Sequence, residues 1–160
     1  AATVNGCRFS VEQARTILEN ANLKPLLAGP EQLPDPSKID AYHRAWRQAV
    51  IAAAEEKRLS FTHGVAAKLI NIYFKAGFVC AGYDCDPRVC ALHPPIDSLL
   101  LEELYRRNIG GLRAEWSRAR SARWSNFSSE EYERVIVSIR KVLGKDVPLW
   151  QIEQYWRGYQ

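Results

Sequence analysis

Residues 128–144 read SSEEYERVIVSIRKVLG, and this stretch decides the fold. It holds Val135-Ile136-Val137, the one triplet in the chain whose β-branched side chains favour a strand. The signals around it are those of a helix. Ser128 and Glu131 have capping-box spacing, in which each side chain satisfies the other residue's backbone N–H. Tyr132, Val135, Ile136, Ile139 and Leu143 then recur at intervals suited to one helix face, and Gly144 supplies a C-terminal stop. Caps at both ends outweigh three residues of strand propensity, so the stretch reads as a helix.

The same signals recur outward from it. Ser10 and Gln13 form another capping box, followed by the stripe Ala14, Ile17, Leu18 and Ala21, which should stop near Asn22 ahead of Pro25. Residues 25–36 hold four prolines and form the one linker-like stretch. Asp35-Pro36 opens a second helix, with Ile39, Tyr42, Trp46, Ala49, Val50 and Ala53 on one face. A third begins near Gly64, carries Val65, Leu69, Ile70, Tyr73 and Phe74, and ends around Gly77. Residues 78–95, with Gly82, Pro87, Pro94 and Pro95, are expected to be irregular. A fourth helix runs from about Ile96 to Arg107, and a short basic helix occupies 112–122. Pro148 starts a last helix bearing Leu149, Ile152, Tyr155 and Trp156. The expectation is an all-α fold, one compact domain over residues 1–160 with about six to seven helices and a hairpin-like turn between the second and third.

Composition agrees. At 160 residues, 47% apolar and 25% charged, the chain is long enough to bury roughly two-thirds of its unfolded surface without disulfides. No apolar run approaches the roughly 20 residues of a membrane span. The longest, around Ile96 to Leu104, is broken by Asp97, Ser98, Glu102 and Glu103, so no membrane partner is expected. The opening AATVNGCRFS has no apolar core of the kind a secretory signal carries, and a cytoplasmic location is expected. A net charge of +4 permits a polyanionic partner. Of the 22 cations 15 are arginine, whose forked donors suit phosphate, although codon usage in a GC-rich genome produces the same bias.

Three groups of residues carry candidate chemistry. Cys80, Cys85, Cys90 and His93 offer three thiols and an imidazole to a metal such as zinc, but both Cys–Cys intervals have four intervening residues and only Cys90-x-x-His93 is tight. Free thiols or a disulfide are the other readings; no metal or other cofactor is expected. Between 105 and 124, Arg106, Arg107, Arg113, Arg118, Arg120 and Arg123 interleave with Tyr105, Trp116 and Trp124, with Glu115 as the sole acid. Such a stretch suits a nucleic-acid strand, or equally a solvated helix whose arginine stems cover apolar surface. Third, Phe61-Thr62-His63-Gly64-Val65-Ala66-Ala67-Lys68 feeds a helix whose first amides suit a phosphate. Pro94-Pro95-Ile96-Asp97 places a carboxylate in the first turn of the next. Lys68 and Asp97 thus both sit near helix beginnings, 29 residues apart, where one cleft can receive both. His43 and His63 have no evident partners in the sequence.

The segments Gly64-Val65-Ala66-Ala67-Lys68 and Pro95-Ile96-Asp97 resemble the helix-hairpin-helix DNA glycosylases, particularly the 8-oxoguanine branch. In that family a Gly-Val-Gly-x-Lys hairpin supplies a nucleophilic lysine and a later Pro-Val-Asp the assisting aspartate. The resemblance covers about residues 57–101. Thr62-His63 stands where the family has Leu-Pro, Ala66 replaces the second hairpin glycine, and the interval to the aspartate is longer. The resemblance implies an extruded nucleotide attacked by Lys68, with Asp97 stabilising the sugar cation. It further implies a phosphate near Gly64 and Ala66 and a Schiff-base intermediate. Three functions follow for comparison: a DNA glycosylase-lyase in base-excision repair; a helical nucleic-acid binder without chemistry; and a protein-interaction domain using aromatics such as Trp150, Tyr155 and Trp156.

Overall fold

The computed structural model describes residues 2–4 and 7–157. A short antiparallel hairpin, β1 (Ala2–Val4) and β2 (Cys7–Phe9), precedes the helices, with Thr3 opposite Arg8. Three residues per strand carried too little alternation to be seen in the sequence. α1 (Val11–Asn20) begins at the expected box: Gln13 N donates to Ser10 Oγ at 3.1 Å and Ser10 N to Gln13 Oε1 at 2.8 Å. The proline-rich stretch forms 3₁₀ turns at Lys24–Ala28, Pro30–Gln32 and Pro36–Lys38. α2 (Ile39–Glu56) and α3 (His63–Phe74) follow.

Three further differences from the sequence expectation concern where helices run. α3 does not end at Gly77 but widens into a π-helical segment, Lys75–Tyr83, whose turn closes at Gly82 with φ +93°. A Cβ at Gly77 would meet Leu27 Cδ2 at 2.5 Å, the tip of a side chain that can turn aside. Pro87 opens a short α4 (Pro87–Cys90) capped by Asp86, inside the stretch expected to be irregular. The terminal helix after Pro148 is 3₁₀ throughout, Leu149–Tyr155. α5 (Ser98–Arg106), α6 (Arg113–Ala122) and α7 (Ser129–Leu143) lie where expected, and α7 has its capping box. The fold is all-α.

α3 stands at the centre. Val65, Ala66, Ile70, Phe74 and, beyond them, Phe78 pack against Trp46, Val50 and Ala54 of α2 and against Ile17 and Leu18 of α1. Ala67, on another side of α3, belongs to a second apolar cluster built from Leu100, Leu104, Trp116, Phe127, Ile136 and Ile152. α3 and its extension, His63–Tyr83, are long and apolar enough to cross a membrane, a run the sequence reading passed over. In this fold they fill the space between the two clusters, and Lys68, Asn71 and Lys75 interrupt them.

Gly64 is not in the turn between α2 and α3. Residues 57–62 link α2 to α3, and Gly64 lies within the first turn of α3, buried against the 3₁₀ turn Trp124–Asn126. Thr62 fixes this contact: its hydroxyl accepts from Val65 N at 3.2 Å and donates to Ser125 O at 2.8 Å. A Cβ at Gly64 would overlap the Trp124 carbonyl oxygen and stand 2.9 Å from its carbon. Gly64→Ala is therefore expected to cost about 3 kcal/mol, at the upper end for overpacking. Thermal unfolding should register this as a fall in Tm of about 6–12 °C for a chain of this length.

Candidate functional site

Lys68 and Asp97 meet. Lys68 projects from the second turn of α3, and its Nζ lies 3.6 Å from Asp97 Oδ2, with both side chains about three-quarters buried (27% and 22% exposed). Asp97 is the N-cap of α5; its Oδ1 accepts from Leu100 N at 2.9 Å. The indole N–H of Trp156, just past the last 3₁₀ helix, donates to both Asp97 oxygens at 3.2 and 3.1 Å. On the other side the Lys68 ammonium sits 4.4 Å from the ring centre of Trp124. A 2.7 Å ion pair between Lys75 and Glu153 ties the π-helical continuation of α3 to the 3₁₀ helix that leads to Trp156. An amine, a carboxylate and two indoles, from four separate elements, thus share one partly dehydrated spot. Beside it opens a cleft of about 340 Å³ lined by Ser98, Leu101, Glu102, Arg120, Arg123 and Trp124.

The expected phosphate cradle is absent from its predicted place. Gly64 and Ala66 are buried; Gly64 N donates to Phe127 O at 3.3 Å, Val65 N to Thr62 Oγ1 and Ala66 N to Thr62 O at 3.0 Å. Amides already bonded within the fold have nothing to offer a phosphate. This corrects the assignment of Gly64 and Ala66 as DNA contacts: the glycine is required by close packing on Trp124. The arginines also divide. Arg106, Arg118 and Arg120 pair with Glu103, Glu115 and Glu102. Arg107 lies over Tyr155, and Arg113 and Arg120 over Tyr105. Arg123 alone of the six has neither an acid nor a ring beside it among the described residues. Tyr155 and Trp156, candidates for a free aromatic patch, are engaged by Arg107 and Asp97.

His93 leaves the cysteines. Cys80 and Cys85 are exposed, while Cys90 donates to Asp84 O at 3.3 Å and its burial pushes the thiol pKa up. Both His93 nitrogens are used in the core, so the four do not form a ligand set, and no three His, Cys, Asp or Glu side chains gather as one among the described residues.

What the sequence reading missed is where His93 goes. A chain of polar side chains runs between α2 and α7, and its hydrogen positions follow from the bonding. Asn71 Nδ2 faces the Pro94 carbonyl at 2.8 Å, which can only accept; Asn71 Oδ1 therefore accepts from His43 Nε2 at 2.8 Å. His43 Nδ1 is left bare and accepts from Arg47 Nη1 at 3.1 Å. The second Asn71 N–H donates to the Tyr132 hydroxyl at 3.0 Å, Tyr132 donates to His93 Nδ1 at 3.1 Å, and His93 Nε2 donates to Asp40 at 2.9 Å. Every proton points from Arg47 towards Asp40. Arg140 clamps the outer end, with both nitrogens on Asp40; at the inner end fully buried Arg47 also reaches Ser129, Glu133 and His63. His43 has one partner a helical turn away, Arg47, but Asn71 lies 28 residues from it and Arg47 lies 16 residues from His63, so neither network was announced locally.

No family model, curated protein or solved structure matches the chain.

This chain sets the response to acid. Burial, then the charges of His93 and Arg47, holds His43 well below the usual imidazole value; burial likewise lowers His93 against the opposing pull of Asp40, and lowers the half-buried His63. The folded state keeps neutral rings that the unfolded chain protonates below about pH 6.5. The unfolded state then binds more protons, so stability falls as pH drops through 6.5. Glu133, held near 2 chiefly by Arg44, and Asp40, held far below the carboxylate range by His93 and Arg140, extend the loss below pH 4. A Tm at least about 3 °C lower at pH 5.5 than at pH 7.5 is expected in calorimetry, with no recovery at lower pH. Tyr132→Phe leaves an Asn71 N–H and His93 Nδ1 without partners, and should cost about 2–4 kcal/mol in urea unfolding at pH 7.5.

Proposed function

We propose that the protein acts on DNA as a base-excision glycosylase with lyase activity, Lys68 being the nucleophile and Asp97 the assisting carboxylate. The observation that carries this reading is the 3.6 Å approach of the Lys68 amine to Asp97, from separate helices, at the edge of a cleft. A nucleophile and its assisting group must lie within reach of one reacting centre. Two residues that share only helix beginnings in the sequence meet that condition here.

In the reaction the Lys68 ammonium gives its proton to Asp97, which later returns it to the leaving base, and the amine so formed bonds to the anomeric carbon of an extruded nucleotide. The base leaves with the electrons of the glycosidic bond and takes a proton. Asp97, oriented by Leu100 N and the Trp156 indole, faces the positive charge that develops on the sugar. Loss of a further proton from the sugar nitrogen adduct opens the ring to a Schiff base, from which the 3′ phosphate can be eliminated. Trp124 keeps one side of the Lys68 amine out of bulk water.

Borohydride reduces a Schiff base to a stable amine and tests this directly. Wild type incubated with abasic-site duplex and borohydride should yield a covalent protein–DNA band, reduced at least a hundredfold in Lys68→Gln. An equal band from the variant, or none from wild type, removes the glycosylase-lyase reading. Salt-sensitive DNA binding without trapping would instead favour a non-catalytic nucleic-acid binder.

A further inference from the structure

We infer that Arg123 is the residue that grips a backbone phosphate of the DNA strand, taking the place of the helix amides that this fold has closed off; the inference rests on the DNA reading above. Three observations converge on it. First, the amides around Gly64 are bonded to Phe127 and Thr62, so the strand needs another anchor near Lys68. Second, Arg123 is the arginine of its stretch left without acid or ring, and it lines the same cleft as Trp124, the indole on which Lys68 rests. Glu102, the acid of that cleft, is already neutralised by Arg120 at 2.6 Å, so the cleft's net charge is that of Arg123. Third, the backbone of Arg123 stands at φ +64°, ψ +123°, a region that side-chain-bearing residues rarely occupy. A non-glycine residue held there is a marker of function when it also faces a cleft.

The local chemistry suits a phosphodiester. The guanidinium offers a planar fork matched to two phosphate oxygens. Ser98, the first residue of α5, lines the same cleft and offers a hydroxyl beside the guanidinium. A phosphate seated between them lies next to the Lys68–Asp97 pair, as the strand flanking an extruded nucleotide must.

The test uses the whole chain and a duplex carrying a tetrahydrofuran site, which binds but cannot react with an amine, so that it reads grip independently of Lys68. Arg123→Gly relieves the backbone and should keep or raise Tm, while weakening binding about tenfold and reducing the salt slope by about one. Arg123→Lys keeps the charge without the fork and should recover part of the loss. Replacing single phosphates near the furan by neutral methylphosphonates should reveal one position that costs wild type about tenfold and Arg123→Gly nothing. If no phosphate shows this coupling, or if Arg123→Gly binds as tightly as wild type, the inference fails while the borohydride result stands apart. Absence of any duplex binding by wild type at low salt overturns both.

Discussion

The hydrogen-bonded chain from Arg47 to Asp40 is the constraint on which the rest of the structure depends. α2 and α7 belong to different apolar clusters, and between them lie an arginine, two histidines, an asparagine and a tyrosine, each at most 5% exposed. Polar groups so buried are tolerable only when every donor meets an acceptor. Here that requirement admits one arrangement of protons, with a guanidinium at one end and a carboxylate at the other. The two clusters are thereby held in a single register: sliding α7 along α2 by one turn would leave several buried groups without partners. Ion pairs at both rims, Arg44 with Glu133 and Arg140 with Asp40, fasten the ends.

That register positions the candidate site. Tyr132 and Glu133 fix the start of α7, and the turn before it, Trp124–Asn126, carries the carbonyl on which Gly64 rests and the indole beneath Lys68. α3, wedged between the clusters, then aims Lys68 at the beginning of α5. The resemblance to the hairpin glycosylases and the fold thus use the same glycine differently. In the family motif it admits a phosphate; here it admits a neighbouring backbone turn, and Ala66 has no phosphate to exclude.

The helices were legible where local chemistry declares them. Ser10 and Ser128 cap, Gly144 stops, and the apolar stripes of α2 and α7 point inward. The π-helical widening after Phe74 was not, because Gly77 and Gly82 read as terminators and nothing local shows that Leu27 must approach Gly77. The convergence of Lys68 and Asp97 was visible as two helix beginnings. Trp156 as a donor to Asp97 was not, since 59 residues separate them and only tertiary packing brings them together. His93 illustrates the same limit: beside three cysteines it reads as a ligand, yet Asp40 and Tyr132, 53 and 39 residues distant, decide its place.

Asp97 serves two masters. It closes the first turn of α5 and also faces the amine, whereas Lys68 caps no helix. Genetic drift would therefore treat the two positions unequally. Folding alone selects a short oxygen-bearing side chain at 97, while at 68 it holds the lysine only through its contacts with Asp97 and Trp124. Among descendants of this chain, the lysine is the informative letter.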